Sequence, residues 1–204
     1  SAHLRCRASS TSTQGVGFRL PGAIYFSIAH DCGGSGFGEI RAAQIHHSIA
    51  DSCGTGTAGG AFGGETNNTN THFGVFLTLY NQGTGGDGIR IPDDADCQGQ
   101  TYLGNIIANN AGWGINRQGV TLSGPSRTEA FNDIFSNASG ARSNAEDPTA
   151  YDAAPTDLTL DPQFVDAANQ NFAIGANLKD KAAQVFQVGG TSYLDMGAMQ
   201  RQES

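Results

Sequence analysis

No stretch of about 18 apolar residues occurs anywhere in this 204-residue chain, so no segment reads as a membrane-spanning helix. Basic residues are scarce: 11 Lys and Arg stand against 19 Asp and Glu, the formal charge is −8, and no basic cluster marks one face. A nucleic-acid binder needs such a face, and so does a protein drawn to anionic lipid, so neither nucleic acid nor membrane is expected as a partner. The four cysteines include no C-x-x-C pair, and no H-x-x-x-H spacing accompanies them, which excludes a zinc site of the usual kind. A sustained helical period is missing before the last fifty residues, and leucines are not regularly spaced, so helical and leucine-rich repeats are both excluded. The amino terminus carries no apolar leader-like segment. The acidic balance suits a soluble extracellular or virion protein.

What the chain does have is glycine and repetition. Glycine accounts for 29 residues, about twice the usual share of roughly 7%, yet 38% of the chain is hydrophobic, enough for a core. Five segments are variants of one phrase: Ser27-Ile28-Ala29-His30-Asp31-Cys32-Gly33, Ser48-Ile49-Ala50-Asp51-Ser52-Cys53-Gly54, Thr78-Leu79-Tyr80-Asn81-Gln82-Gly83, Ile106-Ile107-Ala108-Asn109-Asn110-Ala111-Gly112 and Ile134-Phe135-Ser136-Asn137-Ala138-Ser139-Gly140. With Ile28, Ile49, Leu79, Ile107 and Phe135 as anchors, the spacings are 21, 30, 28 and 28 residues, the range of stacked repeats. Each anchor sits in a short β-branched run bounded by Gly, Asn, Asp and Ser, as strands between turns do. The fold expected is all-β: a right-handed parallel β-helix of about five to six coils with an irregular C-terminal tail. Variable spacing fits it, because extra residues can leave as a loop at one corner.

The coils are expected over residues 1–145, with long loops near 54–71 and 92–100, and the tail over 146–204, packing on the last coils. Pro148, Pro155 and Pro162 break any regular strand in the tail. Cys32 and Cys53 hold the same place in the two best-matched repeats. Equivalent residues in adjacent coils stand about 4.8 Å apart, a separation a disulfide tolerates. The pair is thus either a bridge or a ladder of buried thiols. Asn81, Asn109, Asn110 and Asn137 follow the anchors where the chain must leave the strand, and Asn tolerates the left-handed backbone such corners need. Asn67-Asn68-Thr69 and Asn137-Ala138-Ser139 also match the glycosylation sequon.

The tail carries a resemblance. Asp161-Pro162-Gln163-Phe164-Val165-Asp166, continuing to Phe172-Ala173-Ile174, and later Tyr193-Leu194-Asp195-Met196-Gly197-Ala198-Met199-Gln200-Arg201, resemble the closing phrase of many right-handed parallel β-helix proteins of the pectate-lyase-like superfamily. The resemblance implies the fold. Because the superfamily spans polysaccharide lyases, glycoside hydrolases, phage tailspikes and fibres, adhesins and surface proteins, it leaves activity open. Spikes of this fold are commonly trimeric, so a homo-oligomer, trimer or filament, or a place among other subunits of an assembly, is what the resemblance implies for partners.

An enzyme would need a site. Glycoside hydrolysis takes two carboxyl groups several Å apart, for which Asp31, Asp51, Asp87, Asp93, Asp94 and Asp96 are candidates. Asp93 and Asp94 share an acidic loop that would otherwise be solvated surface or a weak Ca²⁺ site; no other cofactor is expected. Lyase chemistry would also want a base such as Arg41, Arg90 or Arg117, and no lyase motif surrounds them. His46-His47 lies one coil beyond Tyr25-Phe26, with one ring expected outward and its neighbour inward, and His30 lies one coil before Asp51, a pairing that suits a general base. Trp113, between two glycines, is a candidate sugar-stacking platform. A first coil with unpaired strand edges is expected to need a partner. Two functions follow. One is a noncatalytic structural or adhesive β-helix of an extracellular assembly, such as a phage spike, fibre or decoration protein or a bacterial surface filament. The other is a polysaccharide lyase or glycoside hydrolase acting on a glycan along the β-helix face.

Overall fold

The computed structural model describes residues 2–10, 15–18, 22–38, 44–54, 60–63, 73–91, 100–117, 128–144, 153–178, 181, 197 and 198. Among these residues the chain is all-β, apart from two single-turn 3₁₀ helices, and its strands come in repeats. The first repeat gives β1 (Ala2–Leu4) and β2 (Arg7–Ser10), and the second β3 (Ala23–Tyr25), β4 (Ile28–Cys32) and β5 (Phe37–Gly38). The third gives β6 (Gln44–His46), β7 (Ile49–Asp51) and β8 (Gly60–Gly63), and the fourth β9 (Phe73–Val75), β10 (Thr78–Tyr80) and β11 (Asp87–Ile91). The fifth gives β12 (Thr101–Leu103), β13 (Ile106–Ala108) and β14 (Trp113–Arg117), and the sixth β15 (Thr128–Ala130), β16 (Asp133–Phe135) and β17 (Gly140–Asn144).

The strands of each repeat enter three parallel sheets in turn. Sheet A runs β1-β3-β6-β9-β12-β15, sheet B runs β2-β4-β7-β10-β13-β16, and sheet C runs β5-β8-β11-β14-β17. Every strand pairs with its counterparts one repeat away, an arrangement consistent with a parallel β-solenoid. The interior is a set of columns, each one residue wide. Sheet A turns Ile24, Ile45, Gly74 and Tyr102 inward, sheet B Ala29, Ala50, Leu79, Ile107 and Ile134, and sheet C Phe37, Phe62, Ile89 and Ile115. At the sixth repeat the columns change character. Glu129 follows Tyr102 and Arg142 follows Ile115. Arg142 pairs with Asp157 and lies 3.8 Å from Glu129, all three side chains nearly inaccessible. The greasy column thus ends on an ion cluster.

The corners carry the sequence signature. Between sheets A and B one residue per repeat has a left-handed backbone: Arg5, Phe26, His47, Phe76, Gly104 and Phe131. Between sheets B and C the same is true of Asp31, Ser52, Asn81, Asn109 and Ser136. A non-glycine residue there costs on the order of 1–3 kcal/mol, and the neighbouring repeat offsets it by accepting the corner amide. The amides of Phe26, His47 and Phe76 donate to the carbonyls of His46, Val75 and Leu103 at 3.2, 3.0 and 3.0 Å. The residue after each A–B corner points in and forms a ladder. Its rungs take the next amide along: Ser27 N–H donates to Ser48 Oγ (3.1 Å), Leu77 N–H to Asn105 Oδ1 (2.8 Å), and Asn132 N–H to Asp157 Oδ1 (2.8 Å). A second ladder fills the B–C corners, where the amides of Cys53, Gln82 and Asn110 donate to the side-chain oxygens of Gln82, Asn110 and Asn137.

Several expectations are corrected here. The anchors slip: Ile28 and Ile49 align with Thr78, Ile106 and Asp133, whereas Leu79 and Ile107 align with Ala29 and Ala50. A one-residue slip changes the face a side chain occupies, and Ile28 and Ile49 point outward under the tail. The segment near 54–71 is not one loop, because β8 sits inside it with Ala61 and Phe62 buried. Phe62 continues the column of Phe37 and Ile89. The loop near 92–100 lies, apart from Gln100, outside the described residues.

The tail first continues the stack. Leu158 bridges to Asp133, and its amide donates to Asn132 O at 2.7 Å. It then turns back along the outer face of sheet B instead of staying on the last repeats. Phe164 and Phe172 pack edge-on against each other and against Tyr80, Phe172 also meets Ile49, and the Arg7 guanidinium of the first repeat donates to Gln170 Oε1. Ile174 and Leu178 bury themselves against Val75, Phe76 and Ile106. Phe164, Phe172 and Ile174 of the closing phrase are thus apolar contacts of a strap spanning the repeats.

Candidate functional site

Three outward clusters carry the chemistry. The first is at the B–C corner, where His30 and Asp51 face each other in register across β4 and β7. His30 Nδ1 lies 2.8 Å from Asp51 Oδ2, and Nε2 lies 3.0 Å from Asp31 Oδ2. Ser52 Oγ donates to Asp51 Oδ1 at 3.0 Å and accepts from Asn81 Nδ2 at 3.2 Å. Burial pushes the Asp51 carboxyl up, against the pull of its hydrogen bonds to Ser52 and His30. The His30–Asp51 pairing read from the sequence is present. A general base needs one nitrogen turned to substrate, and here both face carboxylates, while Ser52 touches the aspartate rather than the imidazole. The cluster is a closed chain of hydrogen bonds.

The second cluster is a double aromatic column along sheet A and its corner. Tyr25 stacks on His46 at 5.0 Å, and His46 meets Phe73 at 5.1 Å; beside them Phe26 stacks on His47 at 5.1 Å, and His47 meets Phe76 at 5.0 Å. Both histidines therefore face outward, and the inward neighbours are Ile45 and Ser48. Strict alternation fails because His47 holds the left-handed corner. His46, the catalytic candidate, lies between two aromatic rings. Burial lowers the pKa of both imidazoles, and His46 lowers that of His47 further. Ring faces turned to one another leave mainly edges for a ligand; Phe26, 51% exposed, ends its column.

The folded-state pKa of both histidines thus lies below the ordinary 6.5, so their contribution to stability is complete above that pH and lost as pH falls through the lowered folded value. Asp51, Asp87 and Asp133, with raised pKa values, act in the opposite sense in acid. The difference in urea stability between the native protein and a His46→Gln/His47→Gln variant is therefore expected to shrink from pH 7.5 to pH 5. A difference that is flat with pH would refute the assignment.

The third cluster is on sheet C. Trp113 heads β14 with its indole against Gly140, where an added Cβ would fall 2.6 Å from Cζ3. Its amide donates to Asp87 Oδ1 at 2.7 Å, and Asn116 Nδ2 donates to Asp87 Oδ2 at 2.8 Å. Burial pushes the Asp87 carboxyl up, opposed by these two bonds and by Arg90. Half-buried Trp113, Arg90, Asn116 and Ser143 share the sheet, the last three in one register column.

Asp93, Asp94, Asp96, Arg41, Cys97 and the sequon at Asn67 lie outside the described residues. Arg117 is buried at the end of β14. Cys32 and Cys53 are buried thiols in adjacent repeats rather than a disulfide, and their mutual hydrogen bond together with burial pushes the Cys53 thiol up. Asn137 spends its amide in the ladder, with Nδ2 donating to Ile107 O at 3.0 Å and Oδ1 accepting from Asn110, so a glycan there would have to break it. Among the described residues no group of three or more His, Cys, Asp or Glu could hold a metal ion, and no helix is long and apolar enough to cross a membrane. The A–B ladder, the double aromatic column and the Glu129–Arg142–Asp157 cluster were not read from the sequence. A signal for the first existed: Ser27, Ser48, Asn105 and Asn132 each immediately precede the first residue of a sheet B strand.

The chain is an all-β protein of parallel sheets, compatible with a parallel β-helix. No family model, no curated protein and no solved structure matches it.

Proposed function

We propose that this is a right-handed parallel β-helix of the pectate-lyase-like kind, acting as a noncatalytic structural or adhesive element of an extracellular assembly such as a phage spike, fibre or decoration protein or a bacterial surface filament. The observation that carries the reading is where the reactive side chains are spent. His30 and Asp51 close on each other and on Asp31, His46 is stacked between rings, and Asn110 and Asn137 bond repeat to repeat. Such bonding makes a stiff rod. In the adhesive version the sheet C face is the contact surface, with the Trp113 indole as sugar platform and Arg90 and Asn116 beside it for polar or acidic sugars. Partners would be further copies, as a trimer or filament, or other subunits.

The test is a panel of neutral and uronate-containing glycans incubated with the protein, read for unsaturated uronate and new reducing ends, alongside the native mass by light scattering. The expected result is an oligomer with no turnover, whose glycan binding weakens about tenfold, some 1.4 kcal/mol, in Trp113→Ala. Turnover abolished by His46→Ala or Asp94→Ala would establish the lyase or hydrolase reading instead.

A further inference from the structure

We propose that Asp133 is the pin of a pH-sensitive latch that holds the tail against sheet B when protonated and loosens it when ionised. Asp133 opens β16 at the join between stack and tail, and it is fully buried. Its Oδ1 accepts the Leu160 amide at 2.8 Å, while Oδ2 is buried with no hydrogen-bond partner among the described residues. The backbone beside it completes the join: Leu158 N–H donates to Asn132 O at 2.7 Å, and Ile134 N–H donates to Leu158 O at 3.0 Å. A carboxylic acid fits this place, since one oxygen is served by an amide and the other carries a proton. A carboxylate does not, because its second oxygen is buried and meets no donor among the described residues.

The surrounding charges deepen the preference. The tail brings Asp157 and Asp161, both raising the energy of a charge on Asp133. Sheet B brings Ile106, apolar and in register. The cation of this end among the described residues, Arg142 on β17, is engaged by Asp157 and by Glu129 of β15. Desolvation first, then Asp161 and Asp157, push the Asp133 carboxyl up to about 7 against the pull of the Leu160 amide. The folded-state value lies above the ordinary one, so the stabilisation is complete below pH 3.8 and is lost as pH rises through about 7. Opening Leu158 to Asp161 lets water reach the carboxylate while sheet B keeps its ladder, so the strain is relieved locally. Once those residues lift, Phe164 and Phe172 lose their footing on Tyr80 and Ile49, and apolar surface on sheet B is bared above neutrality.

Hydrogen exchange of the 153–166 peptide, corrected for intrinsic rates and compared at pH 5.5 and 8.5, tests the latch. Protection is expected to fall about 30-fold in the native protein, one decade per pH unit from pH 5.5 to the midpoint and level above it. It should stay level in Asp133→Asn, while β13 is unchanged in both. Equal tail protection at the two pH values, or a uniform loss over stack and tail, would overturn the proposal. If the Asn variant does not fold, the carboxyl carbon of Asp133 is titrated by NMR in the native protein. A midpoint near 7 supports the latch, and one near 4 sinks it.

Discussion

Gly88→Ala is expected to lower the melting temperature by roughly 6–12 °C, the equivalent of about 3 kcal/mol in a chain of this size. Gly88 lies where sheet C leaves the B–C corner, and an added Cβ would fall 2.2 Å from Ile107 Cγ2 and 2.6 Å from Gly114 O. Ile107 is fully buried and cannot withdraw, and the carbonyl belongs to the next repeat, so the cost stands at the upper end of the ordinary overpacking range of about 1–3 kcal/mol. Gly114 repeats the geometry one level on, with Ile134 Cγ2 at 2.4 Å and Ala141 O at 2.6 Å. The control is Gly85→Ala. There the backbone is left-handed but no atom lies within 4 Å, so only the strain of the corner, on the order of 1 kcal/mol, is added. Calorimetry of the two variants checks this, and equal shifts would mean that close approach is not what the corner glycines provide.

Asn105→Ala is expected to cost about 3–5 kcal/mol in urea unfolding, and Asn105→Ser roughly half as much. Asn105 is fully buried. Its Oδ1 takes the Leu77 amide at 2.8 Å, and its Nδ2 donates to Gly74 O at 3.1 Å and to Asn132 Oδ1 at 2.8 Å. Alanine leaves a buried amide and a carbonyl unsatisfied, each worth on the order of 1–3 kcal/mol, and opens a small void. Serine restores the acceptor, as at Ser48, whose Oγ takes the Ser27 amide and donates to His46 O at 2.9 Å. Midpoints for the two variants that coincide would show that volume, and not the acceptor, is what the ladder supplies.

The stacked strands were legible because corners demand particular residues. Asn81 and Asn109 sit in left-handed corners, and Asn110 and Asn137 bond between repeats, which is the role a recurring Asn after an apolar run implied. Register was less legible. Size suggested that Ile28 and Ile49 belong with Leu79 and Ile107, but the interior of the early repeats is lined by Ala29 and Ala50, and isoleucines are outside because a tail covers them. Nothing local in a strand announces that its outer face will be roofed by residues more than a hundred positions later. The same holds for the site. The His30–Asp51 pairing followed from repeat spacing alone, whereas Asp31 reaching back to His30 Nε2 depends on a corner angle that spacing does not encode. His47 was misplaced for the same reason.

The ion cluster of Glu129, Arg142 and Asp157 has a consequence for how such a chain can change length. Repeats above it are interchangeable in kind, since each offers the next an apolar column to sit on, so duplication or loss of one in the interior leaves compatible surfaces on both sides. Beneath the sixth repeat that compatibility ends, because another apolar level would strand three buried charges. A further apolar repeat therefore fits the stack before Thr128 and not after it.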